Sequence, residues 1–181
     1  MTPSAFFASM RYVYGERAAG PSSVEPAGSS FPLSDRDRIR ALFEAPNFAH
    51  VTTLMADGSP HVAPVWIGVE GSDLAFVKEE ESVAMANLRR DPRVAISVSS
   101  VEDPYEEAHV RGRVRATRPS PEATEWLHRT AAAYTGRPYP EPLPPSPVLI
   151  IVELEHGGFG HFTQVEHTPP AAALQLRRDA H

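Results

Sequence analysis

The segment "FVKEEESVAMANL" at residues 76–88 concentrates chemistry-bearing side chains in an unusual way. Lys78 is the only lysine in a chain with 17 Lys and Arg residues, and Glu79, Glu80 and Glu81 follow it directly. A lysine ammonium, the hydroxyl of Ser82 and the open N–H groups at the start of a following helix make a donor set for an anion, a phosphate above all. Three carboxylates oppose the same ligand, although water screens those that point outward. The alternative is a solvated lysine beside acids at a strand end, where pairing is worth little. Both readings stay open at this stage.

The remaining residue types say more by exclusion. Cysteine is absent, so thiolate catalysis, iron–sulfur clusters and cysteine zinc sites are ruled out. No serine sits in a nucleophile elbow. "HGGFGH" (156–161) follows a strand but precedes no helix, so it is not read as a phosphate loop. Of the eight histidines, His156, His161 and His167 cluster with irregular spacing near the C-terminus and are read as tail histidines, with no metal site assigned. Haem ligation by one of them stays open as an alternative. His50 and His61 are read as ordinary core or surface histidines. Arg111, Arg113 and Arg115 alternate along one strand face, where they must meet water, acids or a phosphate. A net charge of −6 argues against a nucleic-acid partner. No apolar run approaches the roughly 20 residues of a membrane span, and no signal peptide is read. A cytoplasmic protein is the expectation.

The elements that position these residues follow from the change of hydrophobic period. Residues 1–32, with Phe6, Phe7, Tyr12 and Tyr14, read as a flexible N-terminal arm rich in Gly, Ser and Pro. "SDRDRIRALFE" is a helix with Ser34 as N-cap and Asp37 at the capping-box position. "NFAHVTTLM", "PHVAPVWIGV" and "LAFVK" form a three-stranded meander on the turns "ADGS" and "EGSD". "SVAMANLRRD" is a short helix facing inward with Val83, Met85 and Leu88, stopped at Asp91-Pro92. "RVAISVSS" and "EEAHVRGRVRAT" are further strands, the second alternating cleanly. "SPEATEWLHRTAAAYTG" is a helix capped by Ser120 and ended by Gly136, and a proline-rich loop leads to the last strand, "VLIIVELE". Six strands with irregularly inserted helices predict a mainly β fold, an antiparallel barrel with accessory helices in a single domain over residues 33–165. Residues 166–181 read as a tail.

The order and spacing of "HVTTLMADGSPHVAPVWIGVEGSDLAFV", "NLRRDPRVAISV", "EAHVRGRVRAT" and "AAAYTGRPYP" resemble the split β-barrel flavin- and deazaflavin-binding family, which includes pyridoxamine 5′-phosphate oxidases and the reductases that use coenzyme F420. The resemblance covers about residues 38–156, and its later motifs lean to the F420 branch. It implies a homodimeric oxidoreductase carrying F420, or else FMN, and acting on a small organic molecule. The strand with His61, Val62, Pro64, Val65 and Trp66 would run along the cofactor ring, and Lys78, Ser82 and Asn87 would lie at the phosphate side. One departure stands out. The family's phosphate-gripping segment, commonly with a lysine near the position of Ala84, is replaced here by Glu79, Glu80 and Glu81 ahead of Ala84. Either Lys78 takes over the phosphate, or the barrel holds another ligand, a haem, or none, without redox chemistry.

Overall fold

The computed structural model describes residues 33–161. The expected arm (1–32), the residues from 162 on and His167 lie outside the described residues. The chain runs α1 (Leu33–Glu44), β1 (Ala49–Leu54), β2 (Pro60–Val65), β3 (Ile67–Glu70), β4 (Asp73–Glu79), α2 (Val83–Arg90), β5 (Arg93–Ser99), β6 (Glu106–Pro119), α3 (Glu122–Thr135) and β7 (Pro147–His161).

All pairings are antiparallel, and the seven strands form one sheet in the order β2-β1-β5-β6-β7-β4-β3. The two outermost strands, β2 and β3, are successive halves of one stretch of chain parted only by Trp66. The sheet therefore rolls until its edges meet at a bend, but no ladder joins them there. The result is a split β-barrel, mainly β with accessory helices, as expected. The expected meander is corrected in one respect. "PHVAPVWIGV" does not make a single strand, because β2 pairs with β1 (Ala49 opposite Val65) while β3 pairs with β4 (Ile67 opposite Phe76).

The sequence explains how the barrel is filled. Val94, Ile96 and Val98 of β5 alternate with exposed residues, and so do Ala108 and Val110 of β6, because one face of these strands meets water. β4 and β7 instead carry continuous apolar runs, since their two faces are both covered. Phe76, Ile150 and Val152 point into the main core with Phe43 of α1. Ala75, Leu149 and Ile151 meet Ala123 and Trp126 of α3 on the other side. Phe76 and Ile150 are fully buried, each worth about 1.5–3 kcal/mol of transfer free energy.

Two long strands, β6 and β7, bend around the barrel through register shifts at Arg111/Gly112 and Val114/Ala116. Gly112 is required there, because a Cβ would lie 2.1 Å from the Glu153 carbonyl oxygen. β7 also runs to His161, so "HGGFGH" is strand paired with β6.

Three helix expectations need amendment. α1 begins at Leu33, one residue before the expected Ser34 cap. α2 buries Ala84, Met85, Asn87 and Leu88, whereas Val83 is 49% exposed. α3 has Pro121 at its N-cap position and no side-chain cap bond, and the Ser120 hydroxyl pairs with that of Thr124 at 2.9 Å. Gly136 ends α3 in the left-handed region at φ 74°, as its type predicts.

Candidate functional site

A cleft of about 510 Å³ lies beside the bend. One wall is Pro64, Val65 and Trp66 with Phe48, and the opposite side carries Trp126 and Leu127 of α3 with Tyr139 and Pro144 of the loop that follows. Val77, Lys78, Glu79 and Ser82 line it from the end of β4 and the start of α2. Five of the eight residues singled out from sequence (Pro64, Val65, Trp66, Lys78 and Ser82) thus come together. Its size and its mix of apolar walls with few polar groups suit a small ring-bearing ligand.

The aromatic wall is held from behind. Tyr134 of α3 stacks on Trp66 with ring centroids 5.4 Å apart and meets Phe48 edge-on at 5.7 Å. Tyr139 meets Trp66 edge-on at 6.0 Å. The Tyr134 hydroxyl donates to the Asn47 carbonyl at 2.5 Å and accepts the Ile67 N–H at 3.2 Å. It supplies hydrogen bonds at the bend, where the ladder is interrupted. Burial raises the pKa of this phenol, opposed by the Ile67 backbone bond. β2 is an edge strand, so alternate N–H and C=O groups along it point away from the sheet.

Lys78 sits half-buried at the end of β4, and among the described residues its side chain makes no hydrogen bond or ion pair. Burial pushes its pKa down, and the Glu79 carboxylate pushes it back up. The three glutamates separate in role. Glu79 is exposed at the cleft, Glu80 bonds Arg89, and Glu81 is exposed. Arg90 bonds the Leu54 carbonyl and the Asn87 side-chain oxygen. Ser82 is the N-cap of α2 and accepts the Met85 N–H at 3.3 Å. The first-turn N–H groups of Val83 and Ala84 are among the donors that a helix start leaves open.

His61, Val62 and Asn87 do not line the cleft. The His61 Nδ1 is buried without a partner among the described residues, and Val62 is 56% exposed. Asn87 is buried, donating to the Thr53 hydroxyl at 2.9 Å and to the Met55 sulfur at 3.4 Å, so it ties α2 to β1. Ala84 is buried as well. The β6 arginines mostly meet acids: Arg113 bonds Glu155 at 2.9 Å and Arg115 bonds the buried Asp73. His161 bonds Asp103 at 3.2 Å, and no group of three His, Asp or Glu gathers as a metal set among the described residues. No helix among them is long and apolar enough to cross a membrane.

Sequence reasoning missed Phe48, Val77, Trp126, Leu127, Tyr139 and Pro144 as walls. Tyr139 falls within "AAAYTGRPYP", the one signal that pointed at that side of the cleft.

This barrel, seamed at a bend with an aromatic cleft beside it, is a split-β-barrel architecture. The chain matches the pyridoxamine 5′-phosphate oxidase family over residues 36–159, and it belongs to that family. An F420 reductase is 29% identical, with 66% of this chain and 94% of that one covered at a TM-score of 0.60. A conserved hypothetical protein from Mycobacterium tuberculosis shares the fold at 19% identity, covering 81% of this chain and 99% of its own, with a TM-score of 0.59. A candidate pyridoxamine 5′-phosphate oxidase from Listeria innocua does so at 18% identity, covering 68% and 96%, with a TM-score of 0.54. No curated protein matches the chain.

Proposed function

We propose that the protein is an oxidoreductase that holds F420, or else FMN, in the Trp66–Lys78 cleft and acts on a small organic molecule. The observation that carries this reading is that Lys78, half-buried and without a side-chain partner among the described residues, lines one cleft with the aromatic wall of Trp66 and Tyr139. The residues fit such a group. Trp66 and Tyr139 offer ring faces and edges, the edge of β2 offers backbone donors and acceptors, and Lys78 offers charge at the tail end. A flavin or deazaflavin supplies hydride transfer when bound, and the protein contributes orientation and electrostatics. The 29% identity to an F420 reductase supports ranking the deazaflavin first.

The same reading includes a homodimer in the cytoplasm. Phe48 beside the cleft and Val62 on the edge strand, 57% and 56% exposed, support a partner surface there. Sedimentation would detect a monomer and refute that part.

The deciding experiment is a fluorescence titration of the full chain with F420 and FMN, following Trp66 and Trp126. Saturable quenching by one of them is expected. A colourless protein whose emission responds to neither would overturn the reading in favour of a barrel without redox function.

A further inference from the structure

A second cavity, of about 340 Å³, lies between α1 and the barrel and shares no residue with the Trp66–Lys78 cleft. α1 borders it with Arg36, Ile39, Arg40 and Phe43, whose i, i+3, i+4, i+7 spacing puts them on one helix face. Its inner wall is apolar. Phe43, Leu74 and Val110 belong to the main core, and Val69 and Leu154 pack against that core partly buried. Packed interiors keep few voids larger than a water molecule, so a space of this size against the core has the dimensions of a ligand site. The charged residues that border it are Arg36, Arg40 and Asp73. Arg40 is held in place, its Nη1 donating to the Gly71 carbonyl at 2.9 Å and its Nε paired with the Glu44 carboxylate at 2.7 Å. Its Nη2 has no hydrogen bond among the described residues. Asp73 is committed elsewhere, since Arg115 holds its carboxylate. It also precedes Leu74 on β4, so the two side chains leave opposite faces of the strand.

We infer that this cavity is a second ligand site that takes an apolar monocarboxylate, with its chain against Phe43, Leu74 and Val110 and its carboxylate on Arg40. The inference is independent of the ring-cleft reading. A guanidinium presents N–H donors in the planar fork that a carboxylate matches. One already oriented by two contacts loses little further freedom when the ligand arrives. An amine of the same shape would meet two arginines, and an alcohol would leave the charge on Arg40 unanswered. The volume falls near the lower end of the roughly 300–1,000 Å³ range of ligand pockets, which suits a chain of about eight carbons.

The test titrates the full chain by isothermal calorimetry with octanoate, and in parallel with hexanoate, 1-octanol and octylamine. Octanoate is expected to bind tightest and to saturate. Hexanoate should bind roughly tenfold weaker, the difference that two fewer buried methylenes make. Octanol should also fall about tenfold, for the lost charge-assisted bond, and octylamine should not bind. Arg40→Gln should bring octanoate down to the level of octanol and leave octanol unchanged. Leu154→Phe, which fills the cavity from its wall, should abolish binding of both. The Arg40 side chain is half exposed, so Arg40→Gln decides the question if thermal melts show that Leu154→Phe fails to fold. Octylamine binding as tightly as octanoate, or octanoate affinity untouched by Arg40→Gln, would overturn the inference. So would a full chain that binds no octanoate, as when residues 1–32 fill the cavity instead. None of these outcomes bears on the F420 and FMN titration of the cleft.

Discussion

Replacing Lys78 by methionine separates what the residue does for folding from what it does for a ligand. The substitution keeps an unbranched side chain of similar length and removes the ammonium. In the folded chain that side chain is half-buried with no bonding partner among the described residues, and burial holds its pKa below the ordinary 10.5. A base whose pKa falls on folding opposes folding. The penalty is complete at neutral pH, where both states are protonated, and it disappears as pH rises from the lowered folded value through 10.5. Lys78→Met should therefore leave the free protein no less stable. The gain, discounted for exposure and solvent screening, is at most about 1 kcal/mol, or roughly 2–4 °C in Tm. It should shrink as pH climbs toward 10.5. Ligand binding should move the other way. A charge-assisted hydrogen bond contributes about 1.5–3 kcal/mol, and partial exposure of Lys78 places it in the lower part of that range. About 1.5–2 kcal/mol corresponds to a roughly 10- to 30-fold rise in Kd. The assay pairs thermal melts of the free protein with fluorescence titrations of a ring phosphate and its unphosphorylated riboside. Loss of affinity should fall on the phosphate form alone. Unchanged phosphate affinity, or equal loss for both ligands, would refute the assignment of Lys78 to the anion.

Three further outcomes follow from the geometry. Tyr134→Phe keeps the ring against Trp66 but removes the hydroxyl that bonds Ile67 N–H and Asn47 C=O, and calorimetry should show a loss of about 1–2 kcal/mol with an altered near-ultraviolet tryptophan signal. Gly112→Ala puts a methyl 2.1 Å from the Glu153 carbonyl oxygen, and urea unfolding should show about 3 kcal/mol or more lost, since the obstacle is backbone. The Arg93 guanidinium holds the Asp91 carboxyl at about 2, so NMR titration of Arg93→Ala should return it toward 3.8. The lowered pKa favours the fold above 3.8 and is lost as pH falls through about 2, so this substitution should alter acid unfolding only in that window.

The parts of the fold visible in the sequence are those where a strand has one wet face. Residues 108–116 alternate because His109, Arg111, Arg113 and Arg115 meet solvent and the intervening residues meet the core. The break at Trp66 left no such mark. Ile67 and Val69 continue the apolar run of β2, and the bonds at the bend come from Tyr134, 67 residues further along. The expected last strand stopped at Glu155 because the glycines that follow weaken a strand. In the fold it serves cross-strand space, since a Cβ at Gly158 would lie 2.6 Å from the His109 ring. Val83 was misplaced because a helix of eight residues is too short for its period to fix both edges of the buried face.

The site was legible where composition singled out a residue and illegible where tertiary contact did. Lys78 could be found because no other lysine competes with it, whereas Trp126, Leu127, Tyr139 and Pro144 reach the cleft only when α3 packs on β4 and β7. Folding accounts for most of the surrounding charges: Glu80 has Arg89, Asp73 has Arg115, and Glu70 has Arg118 and Arg129. Asn87, expected beside a ligand, is accounted for in the same way by Thr53 and Met55. Lys78 is not. Its side chain is half-buried, unpaired among the described residues and mildly unfavourable to the free fold, and a methionine would pack its stem as well. Among the described residues most neighbours satisfy a structural need while this one works against the fold, and we propose that the need it meets is an anion entering the cleft, which the Lys78→Met titration tests.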